Sequence, residues 1–90
     1  MIYNIDKKIL LKGKRKTYEL TDLESKFLES FKDSNTVLYS ELAKNMYGIE
    51  SNKLEDSLKE IKSKFCKKTK VKFKTRYKIG YVLITNIEFN

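Results

Sequence analysis

The stretch S-L-K-E-I-K-S-K-F-C-K-K-T-K-V-K-F-K-T-R-Y-K-I-G-Y, residues 57–81, changes its period halfway. Up to Phe65 the apolar residues keep helical spacing: Leu54 just upstream, then Leu58, Ile61 and Phe65, at intervals of four, three and four. From Lys70 the interval drops to two. Lys70, Lys72, Lys74, Arg76 and Lys78 alternate with Val71, Phe73, Thr75 and Tyr77, so an extended chain shows one largely apolar face and one cationic face. The first half is expected as a helix over roughly 52–67. The second is expected as a strand that turns at Tyr77-Lys78-Ile79-Gly80 and returns through Y-V-L-I-T.

Upstream, T-D-L-E at 21–24 is a capping box, with the Thr21 hydroxyl covering an orphan N–H and Glu24 reaching back. Leu23, Phe27, Leu28 and Phe31 follow at helical spacing, which predicts a first helix over 22–33, ended by D-S-N. T-V-L-Y reads as a short extended piece. Ser40 is placed to cap a second helix, E-L-A-K-N-M-Y, with Leu42, Ala43, Met46 and Tyr47 as its apolar positions and Gly48 as a left-handed stop. A brief I-E-S-N connection leads to the third helix. The opening reads as strands: I-Y-N-I, then K-K-I-L-L-K, a turn at Gly13, and R-K-T-Y-E-L up to Leu20. The order is that of an α+β winged helix-turn-helix. An N-terminal antiparallel sheet (1–20), three helices forming the core (21–67), a C-terminal β-hairpin wing (70–85) and a tail (86–90) make one domain over 1–90.

Composition narrows the function. A chain of 90 residues holds one small core, and no apolar run approaches the ~20 residues of a membrane helix. The first residues show no secretion signal, and a lone cysteine, Cys66, forms no internal disulfide, so a cytoplasmic protein without membrane attachment is expected. Histidine is absent and the three glycines are isolated. That removes His-based acid–base chemistry, His or Cys metal sites and phosphate-cradling loops, so neither an enzyme nor a cofactor or metal is expected. Lys62 one turn from Cys66, with Lys67 and Lys68 adjacent, would favour its thiolate, although a lone surface cysteine is more often inert. Net charge is +8, and a lysine-rich composition alone explains much of that. Distribution says more: between Glu60 and Glu88 stand nine Lys or Arg and no carboxylate, the pattern of a polyanion-binding surface.

These residues together resemble the DNA-binding effector domain of the OmpR/PhoB-type response regulators. That family opens with a small sheet ending in Leu-Thr with Glu three residues on, here L-T-D-L-E at 20–24. Its second helix carries Leu and, five residues later, Trp-Gly; here Leu42 precedes Tyr47-Gly48. The third-helix pattern corresponds to L-E-D-S-L-K-E-I-K-S-K at 54–64, and the wing's Thr, four residues, Gly-Tyr corresponds to Thr75 with Gly80-Tyr81. The match spans about residues 5–84. It implies a winged helix-turn-helix regulator of double-stranded DNA, standing without a receiver and so not switched by aspartyl phosphorylation within these residues, and acting as a repressor or accessory factor. Family members often sit head-to-tail on direct repeats, so a second copy of itself or another regulator is an implied partner. The connection between the second and third helices is shorter than the family's, whose activators use it to touch RNA polymerase, so polymerase contact is not carried over.

Candidate DNA-binding residues follow. On the third helix, Asn52, Lys59, Glu60 and Lys67 lie on the face opposite the apolar stripe, flanked by Lys53 and Ser57 on one side and Lys62 on the other. Lys53 and Lys59 suit phosphates or guanine edges, Ser57 either base type, and Glu60 cytosine N4. The same helix also reads as an ordinary solvated one, since Glu55–Lys59 and Glu60–Lys64 are i,i+4 pairs and Asp56 would repel phosphate. On the wing, Val71, Phe73 and Tyr77 are expected against the third helix, Tyr81 in the core, and Lys72, Lys74 and Arg76 outward on phosphates beside it. Thr75 takes the family's position, and Arg76 or Lys78 at the corner suits the minor groove. Lys62, Lys64, Lys67 and Lys68 are expected to extend the same field. Two alternatives stand: nonspecific nucleic-acid binding, and a protein-interaction winged helix such as an anti-repressor, using an apolar patch on the tail I-T-N-I-E-F-N.

Overall fold

In the computed structural model, which describes residues 1–13, 16–49 and 55–90 (Glu55 by its backbone), the capping box forms as read. The Thr21 hydroxyl accepts the Glu24 N–H at 3.2 Å, and the Glu24 carboxylate accepts the Thr21 N–H at 2.9 Å. Helix α1 (Asp22–Glu29) starts there and stops four residues short of the expected end. Its last turn tightens: Ser30 donates through its hydroxyl to the Lys26 carbonyl at 2.8 Å, and the Phe31 N–H reaches Leu28 rather than Phe27. Phe31 stays buried all the same.

Strand β4 (Thr36–Leu38) leads directly into α2 (Tyr39–Tyr47). Ser40 does not cap it, because the helix has already begun at Tyr39. The Tyr39 N–H, an orphan of the first turn, donates to the Ile79 carbonyl at 2.9 Å, and the Tyr39 ring packs edge-on against Tyr81 at 5.2 Å. A tertiary partner replaces the hydroxyl. Gly48, at φ 72°, ends the helix as expected.

Helix α3 (Glu55–Thr69) outruns its expected end by two residues. Thr69 is buried and donates its hydroxyl to the Phe65 carbonyl at 2.8 Å, while accepting the Val71 N–H at 3.3 Å. Lys70 then takes the left-handed conformation, φ 64°, in the position after a helix end where glycine is usual. Leu54 and the start expected at 52 lie outside the described residues.

Seven strands among the described residues form two sheets. The first contains β1 (Ile2–Asn4), β2 (Ile9–Lys12), β3 (Lys16–Glu19) and β7 (Glu88–Phe89), in the order β3-β2-β1-β7. The first three pair antiparallel as expected, but β7 joins β1 in parallel, Ile2 opposite Glu88 and Tyr3 opposite Phe89. The closing residues are therefore a strand, and Ile87 is 9% exposed and part of the core. Ile87 of the tail is thus taken up by the core, whereas Ile84 at its start stays 57% exposed. The second sheet has the order β4-β6-β5, with β5 (Phe73–Arg76) and β6 (Gly80–Leu83) forming the expected hairpin and β4 a third strand. Gly80 is required where β4 crosses: an added Cβ would lie 2.8 Å from the Leu38 Cα and closer still to the Val37 carbonyl.

Phe27 sits at the centre of the core, with the rings of Phe31, Phe65, Phe73 and Tyr81 around it at 5.2–6.2 Å. Tyr3 is fully buried and donates to Glu29 at 2.8 Å, tying β1 to α1; burial pushes its hydroxyl pKa up to about 12. Among the described residues the fold is α+β, three helices against two sheets.

Two substitutions test this backbone. Lys70→Gly relieves a left-handed lysine and is expected to stabilise by about 1 kcal/mol, read as a rise in the urea midpoint. Gly80→Ala drives a methyl into β4 and is expected to cost at least about 2 kcal/mol in the same assay.

Candidate nucleic-acid interface

One flank of α3 faces the hairpin. Lys62 extends across the gap, its Nζ donating to the Thr75 hydroxyl at 3.5 Å and lying 5.3 Å from the centre of the Tyr81 ring. The gap is a cleft of about 230 Å³ lined by Lys59, Lys62 and Ser63 from the helix and Thr75, Tyr77 and Tyr81 from the hairpin. Two ammonium groups, two aliphatic hydroxyls and aromatic surface thus share one concavity, and among the described residues no carboxylate lines it. Such a group of donors suits an oxyanion.

The other flank faces α1. Lys68 donates to the Glu19 carbonyl at 2.5 Å and to Glu24 at 3.1 Å, closing the capping box from outside. Lys64 pairs with Glu60 at 3.0 Å. Ile61, Lys64 and Lys68 line a second cavity here, with Thr21, Leu23 and Glu24. Ser57, one turn before Ile61, belongs to this flank. Lys68 is therefore a structural clasp and not part of a continuous basic field.

The hairpin's register fixes the rest. Phe73 stands opposite Leu83, and Thr75 opposite Tyr81, while Lys74 stands opposite Val82. Tyr81 and Leu83 are buried, so Phe73 and Thr75 share the inward face. Lys74, Arg76 and, one step before the strand, Lys72 leave from the outward face. The expected row of five is shortened as well: Lys70 at φ 64° and Lys78 at φ 58° sit in left-handed turns at its two ends. Lys72, Lys74 and Arg76 thus keep together on the outward face of β5, while Lys59 and Lys62 of α3 stand on its other side.

Of the expected site residues, Lys59, Lys62, Thr75 and Tyr77 converge on the cleft. Tyr77 was expected to pack against the helix; it is 78% exposed, its ring at the rim with the Lys78 ammonium 5.3 Å from its centre. Lys67 is exposed on the outer side of α3, and Glu60 is held by Lys64. Asn52, Lys53 and the Glu55–Lys59 pair lie outside the described residues. Ser63 is the functional candidate that the sequence reading missed. Its one-turn spacing from Lys59 was visible, but not which flank of α3 meets the hairpin.

Cys66 is half-buried, and burial pushes its thiol up against the opposing pull of Lys62. The expected thiolate-favouring surroundings are outweighed by desolvation. Among the described residues no group of three His, Cys, Asp or Glu side chains is placed to hold a metal, and no helix is long and apolar enough to cross a membrane. No protein-family model, curated protein or solved structure matches the chain.

The Glu24 clasp gives the stability of the fold a pH dependence. Burial alone would raise the Glu24 carboxyl, but the Thr21 N–H and Lys68 outweigh it and hold the group below the ordinary range. With its folded value depressed, its contribution is complete at neutral pH and is lost as pH falls through the carboxylate range. Glu24→Gln keeps the cap acceptor and loses the ion pair. It is expected to cost about 1 kcal/mol at pH 7 and to flatten the fall in stability toward pH 3. Some fall will persist because Lys8, hydrogen-bonded to Asp22, lowers that carboxyl too. Urea melts across the pH range check both.

Proposed function

We propose that the chain is a winged helix-turn-helix regulator that binds double-stranded DNA, with α3 in the major groove and the β5–β6 corner on the adjacent backbone or minor groove. The observation that carries this reading is the cleft where Lys59, Lys62 and Ser63 meet Thr75 and Tyr77, with no carboxylate of the described residues in its lining. A helix flank and a hairpin joined in this way can straddle one sugar–phosphate strand. Lys59 and Lys62 would neutralise phosphate, the Ser63 and Thr75 hydroxyls would donate to its oxygens, and Lys67 would meet the groove from the outer side of α3. Tyr77 and Lys78 at the corner would reach past the backbone.

Three features favour an OmpR/PhoB-type domain over other small α+β domains. The element order is sheet, α1, β4, α2, α3, hairpin. The L-T-D-L-E segment forms the capping box of α1. In the wing's closing pair, Gly80 permits the β4 crossing and Tyr81 is buried between Tyr39 and Phe27. The Lys64 ammonium, 3.0 Å from the Glu60 carboxylate, offsets part of the charge that Glu60 would set against phosphate.

Placement of the cations sets the expected energetics. Removing a lysine that neutralises one phosphate lowers the slope of log affinity against log salt by about one. Lys59→Ala and Lys62→Ala are therefore each expected to flatten it by about one, whereas Lys74→Ala, on the far face of β5, should change it by less than half as much. Fluorescence anisotropy over a salt series, on a duplex selected from random sequence, measures this. Unchanged slopes for both cleft lysines would rule the reading out.

A further inference from the structure

The outward face of the β4-β6-β5 sheet is left uncovered. Leu38 is 42% exposed on β4 and Ile84 57% exposed just beyond β6, with Val82 half-buried between them. Cross-strand register places Val82 opposite Lys74, and the Ile84 N–H bonds the Lys72 carbonyl at 2.9 Å. Arg76 stands opposite Gly80, whose other neighbour is Leu38. An apolar diagonal thus runs beside a column of three cations, at spacings of roughly 7 Å. None of the three strands contains an Asp or Glu, and among the described residues no carboxylate pairs with Lys72, Lys74 or Arg76.

Self-repelling lysines on an edge strand discourage aggregation, but that role does not need bare Leu and Ile beside them. Phosphate would use the cations and leave the apolar diagonal wet. A second copy of a chain with net charge +8 would set like charges against like. One chemistry satisfies both halves. We infer that this face docks an acidic amphipathic segment of a partner protein, its apolar side chains over Leu38, Val82 and Ile84 and its carboxylates over Lys72, Lys74 and Arg76. The site lies across the sheet from the α3 cleft, so a partner could be carried while the cleft is occupied. It does not depend on the DNA reading.

The test is a titration of the ¹⁵N-labelled chain with a synthetic Glu/Leu amphipathic peptide, followed by amide shifts. Saturable shifts are expected at Leu38, Lys74, Arg76, Val82 and Ile84, with Ser63 unmoved. Lys74→Glu and Ile84→Ser, both at exposed positions and checked for fold by circular dichroism, should each weaken binding on the order of tenfold, as removal of one charge pair or one apolar anchor would. Lys59→Ala should not weaken it. Absence of saturable shifts, shifts centred on Ser63 and Thr75, equal binding of a Lys/Leu peptide, or displacement of the peptide by duplex DNA would each overturn the proposal.

Discussion

Phe73 decides which way the hairpin looks. Its ring lies 5.2 Å from Phe27, 5.0 Å from Phe31 and 6.1 Å from Phe65, so it joins both α1 and α3 to β5. Removing that ring from the core would expose a large apolar surface, at about 25 cal/mol per Å². A strand alternates strictly, so once Phe73 faces inward Thr75 must follow it, and Lys72, Lys74 and Arg76 must face the other way. One aromatic contact thereby sorts the cations of the C-terminal third into two surfaces. Lys59 and Lys62 of α3 share a cleft with Thr75 and Tyr77; Lys72, Lys74 and Arg76 stand beside Leu38, Val82 and Ile84.

Helix α3 is held from both sides by lysines of different use. On one flank Lys68 reaches the Glu19 carbonyl and the Glu24 carboxylate, and so belongs to the architecture. On the other, Lys62 rests on Thr75 and the Tyr81 ring with longer and weaker contacts, free to exchange them for a ligand oxygen. Composition does not distinguish the two. Their depth does: the Glu24 side chain is 13% exposed, and only an ion paired there resists salt and solvent.

Much of this was legible in the sequence, and the limits fall along one line. Local chemistry was readable: the Thr21–Glu24 box, the Gly48 stop, the turn at Gly13, and the switch from helical to alternating spacing after Phe65. Features settled by distant partners were not. Helix α2 begins at Tyr39 because Ile79 and Tyr81, some forty residues on, receive its N–H and ring. Strand β7 exists because β1 has an edge to offer, at the opposite end of the chain. Ser63 could be chosen only after the hairpin had picked a flank of α3. The two-faced strand expected over 70–78 forms only at Phe73–Arg76, with Lys70 and Lys78 in left-handed turns at either end. Which neighbour each face would meet is a property of packing.

The most direct measurement is an amide-shift map of the ¹⁵N-labelled chain on adding a short DNA duplex. Movement is expected at Lys59, Lys62, Ser63 and Thr75, with Thr36, Lys74 and Val82 still. Movement at Thr36, Lys74 and Val82 with Ser63 unmoved would contradict a cleft that grips DNA.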